Sequence, residues 1–391
     1  MNIYDELNKT NPHEEKIFFG SGKGIQRYDT VKYSRFEDIS ESMLEDFWKK
    51  QEVKLINDKS DYDNADSAIR RVFDLNIKRQ SIMDTIQGRS LLSTIGRVLC
   101  NTEIEKALTI LQQQEVNHSD TYTYILRNVY NNPSDIFDQI AVDKVITSHA
   151  SKIKELYEDL YIKLAKWEAD EYEKSTNSNE YKVKRILSKI GLYHFITEDE
   201  LKESVYLAII AWNIIEGIRF FVSFACTFKM ADNKIFSGNG QELKLIARDE
   251  LNHLNISQKL VKILKTNESE GFVEIAHQCK DKVRRLYAEA VQDEIEWAGY
   301  LFENGPLLGL NTIVLTRYIK HLANIRLRAI KEDIIYPSDE CSDLPYMNKW
   351  LGGDRVQELL QEMDPTQYKI GMTIPLVDED WENLKSIYMT V

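Results

Sequence analysis

Three of the seven histidines stand three residues after a glutamate: Glu115/His118, Glu250/His253 and Glu274/His277. On a helix this spacing puts a carboxylate and an imidazole on one face, a turn apart. Two such pairs facing each other, joined by one carboxylate from each of two further helices, form a pocket for two metal ions. The chemistry asks for these residue types. Carboxylates bridge two cations and offset their charge, and neutral imidazoles hold iron or manganese while leaving positions open for oxygen. A lone pair of this kind is commonly a surface salt pair, so the surroundings choose among the three. The first two lie near apolar stretches (Tyr122, Tyr124, Ile125; Leu243, Leu245, Ile246). The third opens the charged run HQCKDKVRR and reads as solvent-facing.

Order along the chain adds a second signal. Asp84 precedes Glu115 by 31 residues, and Glu216 precedes Glu250 by 34. Each half therefore reads as a carboxylate helix followed by a Glu-x-x-His helix. The candidate metal ligands are Asp84, Glu115, His118, Glu216, Glu250 and His253. Glu216 has a plainer alternative, a buried ion pair with Arg219. Tyr122 follows His118 by four residues and Glu115 by seven, so all three project from one helical face. An oxidising centre there could take an electron and a proton from its phenol.

The elements that must carry these residues are helical. Gly (16) and Pro (7) are scarce in 391 residues, which disfavours the frequent turns of an all-β chain. With 43% hydrophobic and 29% charged residues the balance is that of a globular protein. Helical signals run over 35–50, 66–98, 102–129, 141–173, 197–230, 240–267, 270–304 and 311–333. The lysine- and glutamate-rich stretch 167–186 reads as a helix end plus a polar connection. Tyr206 to Phe228 is long and apolar enough to be tested as a membrane span. Asn213, Glu216 and Arg219 sit in its middle, at roughly 2.5–3.5 kcal/mol for each mid-span charge. It is expected to be a core helix, with no membrane involved.

The formal charge of −13 excludes a uniformly basic nucleic-acid surface. The four cysteines form no C-x-x-C pair, which fits a reducing compartment, and the polar N-terminus carries no signal-peptide pattern. The glycine-rich FFGSGKG (18–24) lacks the Walker spacing, so nucleotide binding is not expected there. The last thirty residues are acidic with scattered apolar anchors, a pattern of tails that order on a partner.

Four segments carry a family resemblance: SIMDTIQGRS (81–90), EVNHSDTYTYILRN (115–128), EGIRFFVSFACTF (216–228) and LIARDELNH (245–253). The chain resembles the small, radical-generating subunit of class I ribonucleotide reductase, of the kind found in enteric bacteria and their large phages. Weaker similarity extends from residue 18 to about 370. The resemblance implies that Asp84, Glu115 and His118 bind one metal and Glu216, Glu250 and His253 the other, with Glu115 and Glu250 as bridging candidates. It implies a stable radical on Tyr122 in a pocket of Phe220, Phe224 and Ile246. Trp48, hydrogen-bonded through Asp249 to His118, would open the electron route outward, and Tyr368, with Glu362 beside it, would relay to the partner. In one departure, Leu111 and the glutamines Gln112 to Gln114 stand where the family carries aromatic and apolar residues. In another, the ending LVDEDWENLKSIYMTV lacks the usual phenylalanine.

The expected architecture is all-α, a ferritin-like helical bundle with additional helices and a flexible C-terminal tail. Its divisions are an irregular arm over 1–34, the dimetal domain over 35–340 and a partner-binding tail over 341–391. The expected cofactors are two iron ions, with dimanganese or mixed iron–manganese accepted by the same ligands, and O2 for activation. The expected partners are a second copy and a large subunit that carries the nucleotide site, in the cytoplasm. The alternatives are a di-iron oxidase or hydroxylase on the same bundle, iron storage, and a metal-free structural subunit.

Overall fold

The computed structural model describes residues 8–21 and 23–351. Tyr368, Glu362 and the acidic ending lie outside them. Among the described residues the secondary structure is helical, with two isolated β-bridges, Phe18 to Leu99 and Leu307 to Leu310. In chain order the helices are α1 (Ser34–Glu45), α2 (Asp58–Asn64), α3 (Ser67–Ser90), α4 (Ile95–Val98), α5 (Thr102–Val129), α6 (Pro133–Val142), α7 (Lys144–Ser175) and α8 (Asn179–Lys189). Then come α9 (Glu198–Ile214), a π turn (Ile215–Arg219), α10 (Phe221–Asp232), α11 (Ser237–Thr266), α12 (Val273–Gln278), α13 (Lys280–Leu301), α14 (Thr312–Ala329) and α15 (Pro345–Leu351).

Four helical stretches position the candidate ligands. Asp84 lies on α3, Glu115 and His118 on α5, Glu216 in the π turn, and Glu250 and His253 on α11. Local chemistry starts each stretch where the bundle needs it. Asp66 accepts the Ile69 amide to open α3, Asn101 accepts the Ile104 amide to open α5, and Thr197 and Glu200 form a capping box on α9. The start of α11 is capped from another helix, because the Asp58 carboxylate accepts from the amides of Gly238 (3.1 Å) and Asn239 (2.6 Å). A side chain at Gly238 would meet Leu55 at 2.7 Å and the Lys54 carbonyl at 2.9 Å, so only glycine lets Asp58 approach. Burial dominates at Asp58 and pushes its carboxyl up to about 6, despite those two amides.

The helices pack around the candidate ligands: α3 lies against α5, and α11 lies against α9, α10 and α5. The apolar stretch is a core helix, with 94% of its most apolar window buried inside the protein. Leu201, Val205, Ile209, Trp212, Phe221 and Phe228 are all nearly or fully buried. Its arginine is paired, beside a second buried pair between α3 and α13. Arg219 Nη2 meets Asp293 at 2.7 Å, and Arg79 binds Glu294 through both guanidinium ends while lying over the Trp297 ring. Arg219 therefore does not pair with Glu216, and the ion-pair alternative for that glutamate is set aside. Removing one partner from a buried pair of this kind costs about 3–5 kcal/mol.

The structure departs from the sequence reading in places. The end of the 167–186 stretch, expected as connection, lies in α8, which Ser178 caps through the Tyr181 amide. The helix expected to open at 141 is preceded by α6, because Asp143 both ends α6 and caps α7. The expected helix over 66–98 stops at Ser90, and the one over 270–304 divides at Cys279. Of the segment expected as tail, Pro345–Leu351 is helical. Its Trp350 stacks on Phe228 at 4.9 Å and donates to Asp232 at 3.0 Å.

Candidate metal centre

Two groups of donors overlap in the core. Asp84, Glu115, His118 and Glu250 each offer one ligand atom, all within 4.8 Å of one another, and so do Glu115, Glu216, Glu250 and His253. Glu115 and Glu250 belong to both groups, the arrangement a bridging carboxylate needs. His253 Nδ1 lies 2.8 Å from Glu250, 3.2 Å from Glu115 and 3.8 Å from Glu216. His118 Nδ1 lies 3.3 Å from Glu250 and 3.7 Å from Asp84. All six side chains are at most 1% exposed. Gly88 lets α3 and α5 come close here, since a Cβ on it would stand 3.0 Å from that of Glu115.

The donor set fits two divalent cations. Both oxygens of Asp84 and of Glu115, Glu216 Oε2, Glu250 Oε1 and His118 Nδ1 are buried without a hydrogen-bond partner. Orphaned buried polar groups are costly, and here they converge on one point. The four carboxylates carry −4 when ionised, which two divalent ions would balance. Burial first, then mutual repulsion, holds the Asp84, Glu115 and Glu216 carboxyls above their ordinary range, while the two imidazoles hold Glu250 below it. The surrounding carboxylates outweigh burial at both histidines, raising His118 well above its usual value and His253 to about 9.

A pH dependence follows. Asp84 and Glu216 keep protons they would otherwise lose, and both imidazoles hold theirs, so an incoming ion displaces protons. Affinity for Mn(II) is therefore expected to rise from pH 5.5 to 7.5, with protons released into weakly buffered solution. At about 100-fold over Kd each filled site adds ~2.7 kcal/mol of stability, so Tm rises by several degrees. An affinity flat across that pH range would contradict the assignment.

Outer partners orient the donors. His118 Nε2 meets Asp249 Oδ2 at 3.2 Å, and Trp48 Nε1 donates to that same oxygen at 2.7 Å. The Trp48 ring stacks over His118 with centroids 6.2 Å apart, and Trp48 is 3% exposed. His253 Nε2 meets Gln114 Oε1 at 2.9 Å. Gln87 Nε2 donates to Glu216 at 2.6 Å, and Tyr157 Oη donates to Gln87 Oε1 at 2.8 Å. Gln87 and Tyr157 were missed in the sequence, whereas Gln112 to Gln114 stood out as a departure without a partner assigned to Gln114. The available signals were Gln87 one helical turn after Asp84 and the unusual glutamines before Glu115. Of these glutamines, Gln112 instead ties α5 to the Gly88 carbonyl on α3.

Tyr122 is fully buried, and its Oη makes no hydrogen bond of normal geometry. Burial raises its pKa most, and Asp84 is the charged group that acts on it most strongly. Phe220, Phe224 and Ile246 are buried, with Phe220 and Phe224 stacked at 5.7 Å. Elsewhere, Glu274 and His277 are exposed on α12, as their charged surroundings imply. In the glycine-rich loop the Ser21 amide is taken by Glu15 at 2.8 Å, so a carboxylate already sits where a phosphate would need to lie. A third group, His149, Asp293 and Glu296, already holds cations of its own, since Lys152 and Arg219 pair with Asp293.

A helical bundle with two Glu-x-x-His pairs and two lone carboxylates around one buried pocket defines a ferritin-like protein with a donor set for two ions. Comparison narrows this. Residues 26–343 match the family described as ribonucleotide reductase, small chain, and the chain belongs to that family. It is 37% identical over 381 residues to the ribonucleoside-diphosphate reductase subunit beta of Buchnera aphidicola subsp. Baizongia pistaciae, covering 97% of this chain and 98% of the relative. Identity to subunit beta of ribonucleoside-diphosphate reductase 1 from Escherichia coli O157:H7 is 33% over 374 residues, covering 95% and 96%. Among solved structures, the R2 subunit from Clostridium botulinum superposes with a TM-score of 0.74 at 26% identity, over 90% of this chain and 98% of that one. The chain is thus the small subunit of an oxidoreductase that works with a large subunit, and its family uses a dinuclear metal cofactor.

Proposed function

We propose that this subunit generates and stores a tyrosyl radical for the reduction of ribonucleoside diphosphates on its large subunit. Asp84, Glu115 and His118 would hold one ion and Glu216, Glu250 and His253 the other, with Glu115 and Glu250 within reach of both positions. The observation that supports this reading most is the overlap of two donor groups at those two glutamates beside a buried phenol. Two iron ions are the expected occupants, and manganese, alone or with iron, suits the same donors. Bound there, such a pair supplies a strong one-electron oxidant through the reduction of dioxygen.

The chain's own residues do the rest. Tyr122 gives up one electron and its phenol proton, and Asp84 is the carboxylate at hand to take the proton. Full burial keeps water and reductants from the resulting radical. In turnover an electron moves inward past Trp48, and Asp249, bonded to both the indole and His118, is placed to manage the accompanying proton. Tyr368, beyond the described residues, carries the exchange to the large subunit, with segment 341–391 as the docking tail. The working form is a homodimer in the cytoplasm.

The test is to load the metal-free protein anaerobically with Fe(II) and then admit air. A tyrosyl resonance in the electron paramagnetic resonance spectrum, together with two irons per chain, is the expected result. Two irons with no radical, accompanied by hydroxylation of an added substrate, would replace this reading with that of a di-iron hydroxylase.

A further inference from the structure

The two imidazoles of the centre are backed by different chemistry. His118 turns Nε2 to the Asp249 carboxylate, and His253 turns Nε2 to the Gln114 amide oxygen. Both rings point Nδ1 at the carboxylate cluster. A ring that holds a metal through Nδ1 carries its proton on Nε2, so the outer partner must accept. This fixes the Gln114 amide with its oxygen toward His253 and leaves its nitrogen buried without a partner. Glu216, on the same side as His253, is likewise met by an amide, that of Gln87, held in turn by Tyr157.

A carboxylate that accepts from an imidazole N–H makes the other ring nitrogen a stronger donor, and a neutral amide oxygen does so less. An amide that donates to Glu216 draws charge away from that ligand. Both effects weaken the same side. We propose that Gln114 is a positioning residue that makes the two metal positions unequal. The ion beside Asp84 and His118 is bound more tightly than the ion beside Glu216 and His253. This rests on the dimetal reading above.

The experiment titrates metal-free, full-length protein with Mn(II) alone and reads free Mn(II) by its six-line resonance. Wild type is expected to take two ions per chain with stepwise constants about tenfold apart or more, the scale on which outer partners change affinity. Gln114→Leu, which removes the acceptor, is expected to widen that separation roughly tenfold. Gln114→Glu is expected to narrow it, and Asp249→Asn to narrow it by weakening the tighter position. Fewer than two ions in wild type would overturn the dimetal reading and this inference with it. Two ions whose separation neither Gln114 variant moves would overturn the role of Gln114 alone. Narrowing in Gln114→Leu would reverse the order of the two positions. If Gln114→Leu fails to fold, as a melting curve would show, Asp249→Asn still reads the order: widening there overturns it.

Discussion

Tyr122→Phe is expected to bind two metal ions with unchanged affinity and to show no tyrosyl resonance after exposure to air. The substitution removes one oxygen from a fully buried ring that makes no hydrogen bond of normal geometry, so packing and ligands stay as they are. What disappears is the group that can release an electron and a proton together beside Asp84. Turnover with the large subunit is expected to fall by roughly a thousandfold or more, ~4 kcal/mol of lost transition-state stabilisation. Because nothing polar is stranded, Tm is expected to shift by less than a few degrees. A variant that keeps turnover would remove Tyr122 from the mechanism.

Glu250→Ala is expected to have the largest effect on the centre itself. Glu250 belongs to both donor groups and stands between His118 and His253 at 3.3 and 2.8 Å. Removing it takes a donor from both groups at once and leaves two buried imidazoles with less compensating charge. Metal content is expected to drop from two ions per chain to fewer than one, and the gain in Tm on metal addition to vanish. A variant at Asp84 or Glu216 touches one group only and is expected to retain one ion. Calorimetry and metal analysis on the three variants together check this, and equal losses in all three would contradict the shared position of Glu250.

Much of the centre could be read before any coordinates, for a physical reason. Carboxylates and imidazoles are expensive to bury, so their recurrence at helical spacing in apolar surroundings marks a purpose. The six candidate donor positions rest on that logic, and Tyr122 on its place on the same helical face as Glu115 and His118. The Trp48–Asp249 link needed the family resemblance, because an indole 201 residues away in the chain gives no local signal. Gln87 and Tyr157 were opaque, and Gln114 stood out only as an unusual residue, since amides and phenols are ordinary core residues until a partner from another helix meets them. The binding of Arg219 to Asp293 rather than to its near neighbour depends on a contact 74 residues away. The α8 helix was missed because polar composition hides its capped start at Ser178.

The π turn has a consequence for what Glu216 can be. In an ordinary helix, side chains three apart sit over one another, and an acid and a guanidinium at that interval clasp. Glu216 and Arg219 have that interval, yet they fall within the one widened loop of Ile215–Arg219, where i→i+5 bonding splays such neighbours apart. The guanidinium swings out to Asp293, and Glu216, met on Oε1 by the Gln87 amide, keeps Oε2 without a partner. One surplus residue in the coil thus separates an acid from the base beside it and keeps it free for a cation from outside.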